Sequence, residues 1–586
     1  MRRAVTPRAR RTAAAALACL TVVTLAGCVR LPESGPVVET ESEGTADEPP
    51  AIFIDPKPPE PGEQPDEIVN DFLEAMTATP LSTNVARQYL TRDANAEWNP
   101  EASTITYARV SQPRGTDLLT VELSEASLLD GRGTFRGPLP PDQQVLEFRM
   151  AIENGEWRIA EAPDALVVPE SWFEQRFRQV SLYFFDPSAQ IMVPEPVFVQ
   201  RGEPSTTALT EALLRGPGPE LDGISRSFIP PGLDFDLSVP VSEEGVADIA
   251  LRGYSGQMTP EASELMVTQL AWTLRQEPDI EAIRVSIGGQ QVTSDSGQSL
   301  FDVDARSEYD PTGLDSSHLF YGLDNGLLVS GQPETLTPVE GPMGVGALGA
   351  RSFAVNLDGT TVAAVSAAGG AVLESSVAGP EQRIQEVVSA AERLLRPAWD
   401  FADRLWLVDA RGDGAAVLFL GGRGPREVDV PRVSNRRVTM FLVSRDGSRL
   451  VAVVRGRSGD QLMVSRLRRN DQGAIVSATR ARRIGWEGEG ALQIRDIAWT
   501  SPTSIAVLHR VASQISEVRT ISVDGSPSGA DDLLTQLSGP VRSLAGSPVP
   551  GEGLYAVTGA VLDDLSRGDT GDVAFDPSIR QLAYVG

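Results

Sequence analysis

Two histidines, two cysteines and scattered acidic pairs are the residues of this 586-residue chain whose types suit catalysis or metal binding. His318 and His509 lie far apart in strand-like segments, so they form no metal cluster, and no Cys–His pair is available to activate a nucleophile. The sequence therefore implies no catalytic residue, no cofactor and no metal site. Gly344-Val345-Gly346-Ala347-Leu348-Gly349 has the G-x-G-x-x-G spacing, which lets a backbone approach a pyrophosphate at a helix start. That chemistry needs a strand before the glycines and a helix after them. Here the strand-like Phe353-Ala354-Val355 follows, so the segment reads as a loop. Gly253-Tyr254-Ser255-Gly256 misses the G-x-S-x-G elbow and reads as a turn. Asp400 and Asp403 are of the type used in glycoside hydrolysis, which needs two carboxylates facing one bond. Their counterparts Asp358, Asp446 and Asp576 recur in turn phrases, so hydrogen bonds to backbone amides are the simpler expectation.

The chemistry with the clearest sequence support lies at the N-terminus. Arg2, Arg3, Arg8, Arg10 and Arg11 form a positive leader, and Ala13 to Ala26 is small and apolar apart from threonines, too short to span a bilayer. It ends in Leu25-Ala26-Gly27-Cys28, which resembles the lipobox of bacterial lipoproteins. That resemblance implies a thioether diacylglycerol on Cys28, cleavage of residues 1–27 as a signal peptide, and N-acylation of the new first residue. The alternative is an ordinary signal peptide with an incidental cysteine. Arg10-Arg11 lacks the flanks expected of twin-arginine export, so general secretion is expected. Cys19 leaves with the leader, and the mature protein has no disulfide. A chain of this length buries enough core to do without one.

The formal net charge is −29, and loss of the five leader arginines makes the mature chain more negative still. Nucleic acid is excluded as a partner, because its affinity comes largely from cations neutralising phosphates. The same charge repels anionic headgroups, so membrane attachment is expected through the lipid alone. Lys57 is the single lysine.

The elements that position these residues fall into modules. Residues 28–65 carry the lipidated cysteine and a proline- and acid-rich linker that extends rather than folds. A first module over 66–190 opens with a helix capped by Asp66, with Ile68, Val69, Phe72, Leu73 and Met76 on one face. Strands follow at 104–108, 118–123 and 145–152, the last turned through Asn154-Gly155 into Trp157-Arg158-Ile159. Helices leading into a curved antiparallel sheet resemble the nuclear-transport-factor-2-like (NTF2-like) α+β fold. A second module, over 191–312, has a helix at 207–215 stopped by Gly216-Pro217, then strands at 235–239 and 245–251. A long helix from Pro260 to Arg275 and a strand at 282–287 complete it. This α/β order resembles the GerMN domain of spore germination and sporulation proteins.

From 313 to 586 short strands and turns repeat, interrupted by a helix expected around Gln382 to Leu395. Phe353-Ala354-Val355-Asn356-Leu357-Asp358-Gly359, Trp399-Asp400-Phe401-Ala402-Asp403 and Phe441-Leu442-Val443-Ser444-Arg445-Asp446-Gly447 each lead into a second apolar run. Ile497-Ala498-Trp499-Thr500-Ser501-Pro502 and Val573-Ala574-Phe575-Asp576-Pro577 do the same. The first copies are spaced roughly 43 to 57 residues apart, the period of propeller blades. One strand–turn–strand unit cannot bury its own faces, so the repeats imply a β-propeller of five to seven blades. The strand at His318 to Leu323 is expected to close the ring against the last blade. Arg466, Arg468, Arg469, Arg480, Arg482 and Arg483 form a basic cluster. It either receives an acidic partner or forms two solvated strands about the Asn470–Gly473 turn, and charge runs are more often solvated.

Lipobox, N-terminal module, GerMN-like domain and a propeller bearing Trp399-Asp400-Phe401-Ala402-Asp403-Arg404-Leu405-Trp406 together resemble the actinobacterial LpqB lipoprotein family over nearly the whole chain. The resemblance implies a protein on the extracytoplasmic face of the cell membrane, without enzymatic activity. It implies an accessory role toward the MtrA–MtrB two-component system, with the ectodomain of the sensor histidine kinase MtrB as partner. The alternative is a lipoprotein that binds a cell-wall glycan, peptide or lipid precursor.

Overall fold

The computed structural model describes residues 56–586 apart from 202–204, 236–237, 254–255, 257, 348, 380–382, 423, 487–489, 528–532 and 567–571. The leader, Cys28 and most of the linker lie outside the described residues.

The first helix spans Pro65–Ala75. Its cap is Gln64 rather than the expected Asp66. Proline fits the first helical position, where its missing N–H has no partner to lose, and Glu67 Oε2 accepts from the Gln64 amide at 2.9 Å. Ile68, Val69, Phe72 and Leu73 are buried in one core with residues of two sheets. The Val145–Glu153 and Glu156–Glu161 strands pair in register through Asn154 and Gly155, both at positive φ as a two-residue hairpin turn requires.

This first core ends at Phe173, and the next begins at Val180. The module boundary therefore falls near Phe177 and not at 190. The Phe177–Phe185 strand pairs with Met192–Gln200 in a long hairpin, and its Val180, Leu182 and Phe184 pack into the second core. In that module helices Ser205–Leu214 and Pro260–Leu274 accompany a sheet in which Val246–Arg252 runs parallel to Ala282–Ile287. Every residue from Leu265 to Leu274 is buried, because the helix packs against the hairpin as well as against the sheet.

Six sheets follow among the described residues, and their inner strands contact one another in a closed ring. Blade 1 is Phe320–Asp324, Leu327–Gln332 and Thr335–Pro338, closed by Ile579–Ala583 as its inner strand. Blade 2 begins at Ser352–Val355, blade 3 at Ala398–Trp399, blade 4 at Val438–Val443, blade 5 at Ile494–Ser501 and blade 6 at Ser543–Ala545. Pairing of the chain's last strand with its first propeller strand removes two sheet edges at once. His318 itself lies just before that strand. The helix expected around 382–395 is absent among the described residues; Gln385–Val388 is the outer strand of blade 2 instead.

Four of the five repeated phrases form the inner hairpin of a blade. The fifth does not. Asp572–Ala574 is the outer strand of blade 6, while Ile579–Ala583 belongs to blade 1. The inner hairpin of blade 6 is Ser543–Ala545 with Tyr555–Val557, whose longer connection hides the repeat. Indole groups tie blades together. Trp399 Nε1 of blade 3 donates to the Ala354 carbonyl of blade 2, and Trp499 Nε1 of blade 5 to the Val443 carbonyl of blade 4.

Candidate functional site

The turn acids hold loops and do not converge on a cleft. Asp400 is fully buried; Oδ1 accepts from the Ala402 and Arg404 amides, and Oδ2 from Trp406 Nε1 at 3.0 Å. Asp403 accepts from Asn356 Nδ2 at 3.1 Å. Asp358, Asp446 and Asp576 each accept an amide two residues ahead. His318 is exposed, with Nδ1 2.5 Å from Glu552 Oε1. His509 is buried against Trp486 and lies 3.2 Å from Glu517 Oε1. Among the described residues no group of three or more His, Cys, Asp or Glu side chains is placed to hold a metal. Gly344 falls in a one-turn helix, Pro342–Val345, that precedes the remaining glycines. Its hydrogen lies where a Cβ would stand 1.8 Å from the Val339 carbonyl oxygen, so packing explains it.

The basic cluster is where the modules meet. On the long hairpin, Val193-Pro194-Glu195-Pro196-Val197 is almost wholly buried. Prolines at alternate positions remove donors from the hairpin's outer edge and leave carbonyls pointing outward. Blade 4 answers with arginines. Arg449, 1 % exposed, donates through Nη2 to the Pro194 carbonyl, sits 3.3 Å from Glu195 Oε2, and through Nη1 lies 3.5 Å from Asp446. Arg466 pairs with Glu195 Oε1. Arg469 Nη1 is 3.7 Å from Asp186 Oδ2, its amide donates to the Gly223 carbonyl at 2.6 Å, and its guanidinium lies over the Phe401 ring. Gln179 Nε2 reaches Ser526 Oγ of blade 5 at 2.8 Å, and Arg482 Nη1 donates to the first module's Phe135 carbonyl. Arg480, Arg482 and Arg483 are exposed, whereas Arg466 and Arg469 are neither solvated nor awaiting a separate partner. Their acids belong to the same chain.

Burial governs the electrostatics here. It pushes the Arg449 guanidinium down to about 10, Arg466 adds repulsion, and Glu195, Asp446 and Asp524 pull the other way. Burial likewise lowers Arg469 and Arg482. Reading the sequence missed Glu195, Asp186 and Arg449. The usable signal was an acid between two prolines inside an apolar run, which marks an edge strand with a charge needing a partner.

The junction covers the blade 4 and blade 5 part of one face of the propeller, the face formed by turns between a blade's first and second strands and between its third and fourth. Grooves open elsewhere among the described residues, two of them in the first two modules. One, of about 490 Å³, lies between the first two modules and is lined by Phe173, Phe177, Phe198, Glu101 and Arg215. Another, of about 620 Å³, lies between the Pro260–Leu274 helix and the Val292–Arg306 segment.

Three family models match. Residues 58–174 match the Lipoprotein LpqB N-terminal domain, 181–293 the Sporulation and spore germination domain, and 326–562 the Lipoprotein LpqB beta-propeller domain. Curated relatives share the layout. The chain is 27 % identical to Lipoprotein LpqB of Streptomyces avermitilis, over 87 % of this chain and 88 % of the relative. It is 28 % identical to that of Mycobacterium tuberculosis, over 89 % and 90 %, and 24 % identical to that of Cutibacterium acnes, over 88 % and 90 %.

Proposed function

The chain belongs to the LpqB lipoprotein family, and from that premise we propose that it is a lipid-anchored accessory protein of an extracytoplasmic sensor histidine kinase of the MtrB kind. In this reading Cys28 carries the diacylglycerol and the N-acyl chain, holding the protein to the outer face of the cell membrane, and the folded body touches the kinase ectodomain without catalysing a reaction. One observation supports it above the rest. The Arg449–Glu195 junction joins the membrane-proximal modules to the propeller in one compact unit, so a contact at the propeller is transmitted to a body of fixed geometry.

The test is kinase output. Deleting the gene should change the phosphorylation state of the kinase and transcription of its targets, and restoring the lipidated chain should reverse both. Unchanged phosphorylation and transcription would remove the signalling role. The two grooves favour a second reading, a lipoprotein binding a wall glycan, peptide or lipid precursor. Retention on purified cell wall, with kinase output unaffected, would select it.

A further inference from the structure

The second module covers the blade 4 and blade 5 part of one propeller face and leaves the opposite face clear of the junction. That face is built from the turns between each blade's second and third strands and from the connections between blades. Between blades 3 and 4 it carries a groove of about 520 Å³ lined by Glu392, Arg393, Arg411, Asp413, Arg436 and Arg437. Arg411 is engaged by Asp409 at 3.0 Å, and Glu392 Oε2 accepts from the Gly412 amide at 2.9 Å. Arg393, Arg436 and Arg437 are exposed, and among the described residues none has a carboxylate within 4.0 Å. On the same face, the tip of the neighbouring blade 5 hairpin leaves Val511 54 % and Ile515 39 % exposed.

We propose that this face, from the blade 3–4 groove to the blade 5 tip, docks an acidic segment of a partner protein. The inference rests on the accessory reading above and names the surface through which it operates. Guanidinium forks match carboxylates in geometry and charge, and the exposed apolar side chains of the blade 5 tip on the same face supply the dry contacts that a protein interface needs. Charge decides against a polyanionic surface. The chain is strongly negative overall, and screening extends over only about 8–10 Å at cellular ionic strength. A compact acidic segment meets a groove in which Arg393, Arg411, Arg436 and Arg437 outnumber Glu392 and Asp413, whereas a bilayer or a long wall polymer also meets the repelling remainder.

The experiment uses the full lipidated chain in its native membrane, with a photocrosslinking amino acid placed in turn at Arg436, at Val511 and, as comparator, at the exposed Val241 of the second module. The expected result is an adduct from Arg436 and Val511, but not Val241, to one membrane protein through a peptide rich in Asp and Glu. R436E/R437E should lower the Val511 adduct by about tenfold, the equivalent of ~1.4 kcal/mol. Unfolding of R436E/R437E at the temperature of the unaltered chain separates loss of docking from loss of fold. Protein adducts from Val241 alone would overturn this surface and leave the accessory reading standing. Adducts only to lipid or wall polymer would overturn the protein partner, and no adduct from any of the three positions would overturn both.

Discussion

Glu195 Oε2 lies 3.3 Å from Arg449 Nη2, a contact between the second module and blade 4 in which both side chains are withdrawn from water. A buried pair of this kind adds little net stability over a well-packed apolar pair, but breaking one side of it leaves an uncompensated charge. Glu195→Gln should therefore cost about 3–5 kcal/mol. Glu195→Asp, which keeps the charge, should cost less than Glu195→Gln. Denaturant unfolding of the two variants checks this, and equal losses in both would mean that the charge is not what matters.

Trp399 and Trp499 make the same inter-blade bond at equivalent positions, 3.3 Å and 3.1 Å long. Phenylalanine keeps most of the buried ring and deletes only the donor. Trp499→Phe should lower stability by about 1–2 kcal/mol, the price of an orphaned buried carbonyl. The blades involved are separate, so Trp399→Phe/Trp499→Phe should show additive losses in urea unfolding.

What the sequence made readable was periodicity. The Pro260–Leu274 helix, the Asn154-Gly155 hairpin and the strand–turn–strand phrases each carry a local signature, and each forms where that signature lies. Two things stayed hidden for physical reasons. Blade 6 connects its inner strands by a longer segment, so it lacks the tight-turn phrase, and the phrase at Val573 arises where two blades abut. The burial of Arg466 and Arg469 depends on a strand more than two hundred residues away, and no local pattern distinguishes an arginine facing water from one facing Glu195.

Alkaline pH should reveal the packing of Tyr183 between the hairpin and Trp272. Burial pushes its phenol up to about 12, with Arg275 opposing. An acid whose folded value is raised favours the fold while protonated. Its contribution is complete below the unfolded value near 10 and is lost as pH rises through about 12. Tyr183→Phe should flatten the fall in stability between pH 10 and 12, and ultraviolet titration should show one fewer late-ionising phenol.

Cys28→Ala should abolish incorporation of labelled palmitate and shift the chain out of the membrane fraction. No helix among the described residues is long and apolar enough to cross a bilayer. The diacylglycerol and N-acyl chains on Cys28 together would hold more firmly than the marginal grip of one acyl chain. Labelling that persisted in Cys28→Ala would show that another residue is acylated.

Gly133 fixes how closely the first module approaches the hairpin. Its amide donates to the Asp130 carbonyl of its own turn at 2.9 Å, its carbonyl accepts from Phe198 N of the hairpin at 2.8 Å, and a Cβ on Gly133 would stand 2.2 Å from the Phe198 carbonyl oxygen. With φ at +77°, the residue also occupies backbone space that side chains disfavour. Gly133→Ala should therefore cost more than about 1 kcal/mol, and the damage should be local. The first module has its own core, and Arg215 Nη1 also bonds the Gly131 carbonyl next to this turn. Hydrogen exchange should rise in the Asp130–Thr134 turn and the Met192–Gln200 strand, while amides of blades 1, 2 and 6 keep their protection. Uniform loss of protection across the propeller would mean that the first module and the propeller unfold as one cooperative unit through this contact.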